Sequence, residues 1–260
     1  MNENVYQHFR REERSFIDMV SEKMERAETY YAPELTEFLD PRECYILEVL
    51  VRKNGDLNYQ FFGGYETAER KRAMIYPAYY SPRQEDFEIS IFEIHYPIKF
   101  ATLSHSKILG TLLSIGVKRE YFGDIITDGE RWQIFLANET KHYVATQIEQ
   151  IGKISVRLTE QDYTQLLLPK EDWEEEMTTL SSLRLDNFIS NVYNISRTRA
   201  KQLVDSGKVK LNWSEESRSD TQIELMDVIS VRGHGRIQLR GIEGKTKKEK
   251  IRVTLGVLRK

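Results

Sequence analysis

Residues 184–212 read RLDNFISNVYNISRTRAKQLVDSGKVKLN, and this stretch decides what the C-terminal part of the chain folds into. Apolar positions over residues 183–189 open a helix. Ser196 then stands where a second helix should start, its hydroxyl able to accept one of the free N–H groups of the first turn. Ala200, Leu203 and Val204 recur at the spacing of a core-facing stripe, so Arg197, Arg199 and Lys201 cannot all share that face and some must meet solvent. Gly207 supplies a stop, 209–212 a short strand, and 225–233 another. Two short helices joined by a tight turn, with cations at the start of the second, make a phosphate-binding surface. The helix dipole and N–H groups favour an anion there, and arginine offers a planar fork of donors.

Charge supports this reading. Residues 181–260 hold 17 Lys and Arg against 9 Asp and Glu, a net of +8, which leaves −11 for the rest of a 260-residue chain whose formal charge is −3. An acidic body with a basic end suggests that the end faces nucleic acid. Hydrophobic residues make up 40% and charged residues 30%, enough apolar material for two or three cores under a hydrated surface. No apolar run approaches the roughly 20 residues that span a bilayer, and the N-terminus mixes acids and bases around no apolar signal core. The expectation is a cytoplasmic protein with no membrane partner. The single cysteine, Cys44, lies in an apolar run and reads as a buried thiol, with a nucleophile as the alternative. Five histidines are scattered without metal-ligand spacing, so no metal or cofactor is expected.

Upstream, residues 1–30 read as a helix on Phe9, Phe16, Ile17, Met19, Val20 and Met24. Asp40-Pro41 predicts a capped helix start leading into the apolar run 44–51. A turn at Asn54-Gly55-Asp56 and a strand over 59–62, ending at Gly63-Gly64, follow. Residues 66–72 read as a short charged helix, and Glu69-Arg70-Lys71-Arg72 as a solvated face of it or an RNA patch. Past Tyr80-Ser81-Pro82, a strand over 87–94, a helix over 104–115, strands over 124–127 and 131–136, a helix over 139–148 and a strand over 154–158 give the order β-α-β-β-α-β. That order is the ferredoxin-like one, which also houses RRM-like domains. Its strands carry no RNP1 signature. Residues 159–180 read as a solvated, partly helical connector. The fold class expected is α+β, with an N-terminal αβ domain over 1–80, a ferredoxin-like, RRM-like domain over 81–165 and a third domain over 181–260.

The third domain resembles the S-four RNA-binding domain, named for ribosomal small-subunit protein four. The matching pieces are Arg184-Leu185-Asp186, Ile195-Ser196-Arg197 with Ala200, Leu203 and Val204, then Gly207, Val209, Leu211-Asn212, and Met226-Asp227 with Ile229. Trp213 and Met226 stand where that family usually has glycine. The resemblance implies that Arg184 and Arg197 contact RNA backbone, with Ser196 beside them and Lys201 and Lys208 as auxiliaries. Asp186 would orient the arginines or cap the fold, and Asn212 would either bond RNA or hold a turn. The basic stretch 244–250 is either a further phosphate contact or a solvated hairpin tip.

Three more motifs resemble the bacterial YlmH family, which carries this module at its C-terminus. They are Phe38-Leu39-Asp40-Pro41-Arg42-Glu43, Phe62-Gly63-Gly64-Tyr65-Glu66 with Ala68-Glu69-Arg70-Lys71-Arg72, and 109–125 with Gly116-Val117-Lys118-Arg119-Glu120 and Gly123-Asp124-Ile125. His105-Ser106-Lys107 departs from the family's His-Arg-Asp. Lys118 and Arg119 either stabilise the end of the preceding helix or face ribosomal RNA as a second patch. The resemblance implies a non-enzymatic factor that binds rRNA, tRNA and the large ribosomal subunit in quality control of stalled translation. Neither HIGH-like nor KMSKS-like synthetase motifs nor a methyltransferase glycine loop is present. The competing readings are an RNA-modifying enzyme with an unrecognised site in 80–160 and a cell-division protein.

Overall fold

The computed structural model describes residues 9–167 and 173–259, which divide into two compact units, 1–170 and 171–260. The first unit opens with helix α1 (Arg14–Thr29), whose buried Ile17, Val20, Met24 and Ala27 form one stripe. The part of the predicted helix over residues 1–8 lies outside the described residues. Strand β1 (Glu34–Leu39) runs into α2 (Pro41–Asn54). Asp40 caps α2 by accepting from the Glu43 N–H at 2.8 Å, while Glu43 accepts in return from Asp40 N–H. Strands β2 (Leu57–Phe62) and β3 (Lys71–Pro77) complete an antiparallel sheet of order β1-β3-β2. Its one face packs on α1 and α2.

A second sheet follows from β4 (Ile89–His95), α3 (His105–Ser114), β5 (Phe122–Thr127), β6 (Trp132–Ala137), α4 (Lys141–Gln147), the short pair β7 (Gln150–Ile151) and β8 (Ile154–Ser155), and β9 (Arg157–Gln161). Its order, β5-β6-β4-β9, is that of the ferredoxin-like fold. Phe92, Ile94, Ile134 and Leu136 face α3 and α4. Ile89, Ile91, Phe135 and Ala137, on the alternate positions, face the first sheet through Phe38 and Met74. All six residues of β6 are buried. In an RRM the second face would be open to bases; here the N-terminal sheet covers it.

Polar chemistry fixes this join. The Asp124 carboxylate accepts from Tyr65 Oη and the Glu69 N–H at 2.7 Å, and from the Arg70 N–H at 3.1 Å. The Arg70 guanidinium, 6% exposed, donates to Phe38 O at 2.6 Å and Phe122 O at 3.2 Å. Arg72, 4% exposed, donates to Thr36 O and Glu88 O. Burial lowers Arg72 from its ordinary pKa, and nearby Glu139 offsets part of that. Residues 66–72 are therefore neither a helix nor an RNA patch: they are a turn leading into β3, and their arginines point inward to carbonyls that the ladders leave unmet. Two motif glycines make room for the contact. A Cβ on Gly123 would lie 2.8 Å from Phe135 and from Phe38, and one on Gly64 would strike the Phe135 ring.

The second unit is a six-stranded antiparallel sheet under two helices. Strands β10 (Glu174–Leu180), β11 (Val209–Leu211), β12 (Ser214–Glu215), β13 (Val228–Val231), β14 (Gly235–Lys245) and β15 (Ile251–Arg259) lie in the order β10-β15-β14-β13-β11-β12. Helices α5 (Leu185–Val192) and α6 (Arg197–Asp205) bury Leu185, Phe188, Ile189, Ala200, Leu203 and Val204 against it. The acidic run expected in a helical connector is instead β10 from Glu174 onward, an edge strand. Glu174 and Glu176 pair with Arg259 on β15, so cross-strand charge pairing recruits them into the sheet. The part of that run at 171–172 lies outside the described residues.

Asp124→Ala leaves two N–H groups and a tyrosine hydroxyl without their acceptor. It should cost about 2 kcal/mol of stability, read from urea unfolding by circular dichroism, and Asp124→Asn, which keeps one acceptor oxygen, should lose less.

Candidate nucleic-acid interface

The two helices of the C-terminal unit meet at one carboxylate. Asp186, in the first turn of α5 and 6% exposed, accepts from Arg184 Nε at 3.2 Å and Nη2 at 3.1 Å. Its oxygens also accept from Arg197 Nη2, at 3.0 and 2.9 Å. Burial alone would raise the Asp186 carboxyl, but the hydrogen bonds and charges of the two arginines win and hold it below the ordinary carboxylate value. The arginines remain reachable, with 37% of the Arg184 side chain and 53% of the Arg197 side chain exposed. Arg197 engages only Nη2 among the described residues, so Nε and Nη1 remain as donors for an incoming anion. One buried acid thus presents two guanidinium groups in fixed orientation.

Local structure places each of them. Ser196 accepts from the Arg199 N–H at 3.1 Å, capping α6 and setting Arg197 in its first turn. The start of α5 differs from that of α6. Its first N–H groups are not open to phosphate, because the Leu185 N–H donates to Thr221 O at 2.9 Å and the Asp186 N–H to Ser219 O at 3.0 Å. The loop that caps α5 carries no sequence signal that would have pointed to it. Lys201 and Lys208 are exposed, the first on α6 and the second beyond Gly207.

Asn212 and Asp227 hold a turn. Asn212 donates to Asp227 Oδ1 at 2.8 Å and accepts from the Val228 N–H at 2.9 Å, while Asp227 Oδ2 accepts from the Glu224 N–H. Of the two roles open to Asn212, the turn is the one its hydrogen bonds serve. Around it, Asn212, Trp213 and Met226 all sit at positive φ, 46°, 65° and 66°. Trp213 and Met226 thus keep the left-handed backbone that glycine would adopt without strain.

In the first unit, Arg119 is turned inward, donating from Nη1 to Phe122 O at 2.6 Å and Gly123 O at 3.2 Å. Its guanidinium satisfies an irregular stretch of β5, so it does not join an exposed basic patch, while Lys118 is exposed beside Glu120. Nor do the two cations sit at the end of α3: they open the single 3-10 turn that leads into β5. Burial pushes the Cys44 thiol pKa up, which removes the thiolate a nucleophile needs. Among the described residues no group of His, Cys, Asp or Glu could hold a metal ion, and no helix is long and apolar enough to cross a membrane. Sequence reasoning passed over Lys210, Arg232 and Arg236, which with Lys208 line a cleft of about 610 Å³ in the same unit.

An Asp-clamped arginine pair over two helices and a twisted sheet defines the class: a protein with an RNA-binding domain of the S-four type. Comparison with known proteins agrees, since residues 183–229 match the family described as "S4 domain". Residues 12–80 match "YlmH, N-terminal" and residues 82–165 match "Putative RNA-binding domain in YlmH". The chain belongs to the YlmH family. It is 42% identical over 251 residues to the "Ribosome-associated protein quality control protein P2" of Bacillus subtilis (strain 168), covering 96% of this chain and 97% of that one. It is also similar to a solved structure named "Cell division protein ylmH from Streptococcus pneumoniae", at 38% identity and a TM-score of 0.55, over 63% of this chain and 99% of that one.

Asp186→Ala should cost about 1–3 kcal/mol at neutral pH. Because the folded carboxyl titrates below its unfolded value, the gap between wild type and variant is complete above the ordinary carboxylate range and closes as pH falls through the lowered value. Urea titrations at several pH values measure both. Met226→Gly should raise the thermal midpoint, relieving about 1 kcal/mol of backbone strain.

Proposed function

We propose that this protein is a non-catalytic cytoplasmic factor that holds rRNA and tRNA on the large ribosomal subunit during quality control of stalled translation. The observation that carries the reading is the pair of exposed guanidinium groups fixed on Asp186. Phosphate contacts of this kind position RNA without reading its sequence, which suits a factor that recognises a ribosomal surface by shape. The name of the Bacillus subtilis relative supports the ribosomal setting. Inward-turned Arg70, Arg72 and Arg119 and the covered central sheet argue that the first unit supplies shape more than charge. The name of the pneumococcal structure favours a second reading, a role in cell division. Unchanged septal targeting and function in a variant lacking residues 181–260 would support that reading.

Arg197→Ala removes an exposed fork while leaving the α6 cap in place. Co-sedimentation with large ribosomal subunits should weaken about tenfold or more, with an unchanged circular dichroism spectrum. Undiminished binding by the folded variant would overturn the assignment.

A further inference from the structure

A second basic feature of the C-terminal unit lies away from the arginine pair. The turn after α6 and the β13–β14 hairpin form the walls of the 610 Å³ cleft, which is lined by Gly207, Lys208, Lys210, Arg232 and Arg236, with Arg259 on β15. The Arg232 N–H donates to Lys208 O at 2.8 Å, which pins one wall to the other. Gly235 has a φ of 132°, and a Cβ there would strike Leu258 O, so the hairpin can lie this close to β15 only as glycine. The cleft is therefore built by the backbone and preorganised.

Part of its charge is uncompensated. Arg259 is neutralised by Glu174 and Glu176. The side chains of Lys208, Lys210 and Arg232 have no ion-pair partner among the described residues. Glu215 is a third acid at the cleft: its Oε1 would lie 2.8 Å from a Cβ on Gly207, and it stands opposite Lys210 in the β11–β12 ladder. Three unpaired cations held at a concave backbone wall, in a unit of net positive charge, are an arrangement whose repulsion an anion relieves.

We propose that this cleft is a second phosphate site, taking a phosphodiester of the same RNA strand that the Asp186-held arginines contact. The proposal rests on the reading that this unit holds RNA. Continuity along α6 favours a polynucleotide over a free anion. The helix carries Arg197 in its first turn and runs into Gly207 and Lys208 at its far end, a span of about 13 Å at 1.5 Å per residue. That is the length of a few nucleotides of backbone, so one strand can lie on both sites.

The test uses the full chain with the double variant Lys210→Ala/Arg232→Ala, and with Lys210→Arg/Arg232→Lys to keep the charge. Both side chains are exposed, so both variants should fold. Binding to a large-subunit rRNA fragment is measured by anisotropy across salt concentrations. The alanine variant should bind about tenfold more weakly, with a log–log salt slope smaller by about two, and the charge-preserving variant should bind like wild type. In a parallel arm, amide shifts of Gly207, Lys210, Gly233 and Gly235 are followed with pentauridylate and with inorganic phosphate at equal phosphate concentration. Larger shifts with pentauridylate support an RNA strand; equal shifts overturn it in favour of a free-anion site. If the alanine variant binds rRNA like wild type while Arg197→Ala does not, the cleft proposal is wrong and the ribosomal reading stands. If wild type ignores rRNA but pentauridylate still moves the cleft amides, the ribosomal reading fails and the cleft stands. No amide shift with either probe overturns the cleft.

Discussion

Strand β6 has no polar side to offer water. Trp132, Ile134 and Leu136 point to the helices and Phe135 and Ala137 to the other side, while Gln133, fully buried, bonds the backbone of Gln165 and Leu167. A strand apolar on both faces must be covered on both. Most of the first unit follows from that constraint. The N-terminal sheet supplies Phe38 and Met74 as the cover, Gly64 and Gly123 let the layers approach, and Asp124 and Arg70 satisfy the backbone groups that the approach would strand. The covered surface is the one on which an RRM would stack bases, so this domain shares the topology of an RNA reader without an open sheet to read with.

The second unit solves a different problem. Arginines useful for phosphate must be exposed, yet exposed arginines wander through many rotamers and lose entropy on binding. Placing Asp186 under two of them removes part of that freedom in advance. The same carboxylate could have quenched the site, but the neighbouring donors outnumber its oxygens, and the guanidinium edges not engaged with Asp186 remain available. Left-handed backbone occurs in both parts of the unit: Asn194 makes the turn between α5 and α6, and Asn212, Trp213 and Met226 make turns of the β part.

Much of the candidate site was legible because it is local. Arg184, Asp186, Ser196 and Arg197 lie on two adjacent helix starts, where capping chemistry and helical spacing restrict the possibilities. The ferredoxin-like order was legible for the same reason: β4, β5 and β6 announce themselves by alternation and by turns, while the last strand, expected over 154–158, lies at Arg157–Gln161 and the short β7 was not foreseen. What misled was charge. Glu69-Arg70-Lys71-Arg72 and the Glu174-Glu175-Glu176 run look solvated in one dimension, because a sequence shows a charge but not the carbonyl or the opposite strand that meets it. Strand β1, with three polar residues among six, gave too little alternation to be seen.

By itself, then, the sequence determined the α+β class, the capped helix pair with its arginines, and family membership, since these rest on short-range spacing and on motif identity. Only the tertiary structure decided that the arginines of the first unit are buried fasteners, that the central sheet is closed on both faces, and that Lys208, Lys210 and Arg232 share a cleft. Each of those depends on which distant backbone groups are left without a hydrogen bond once the layers pack, and that is a property of the assembled chain.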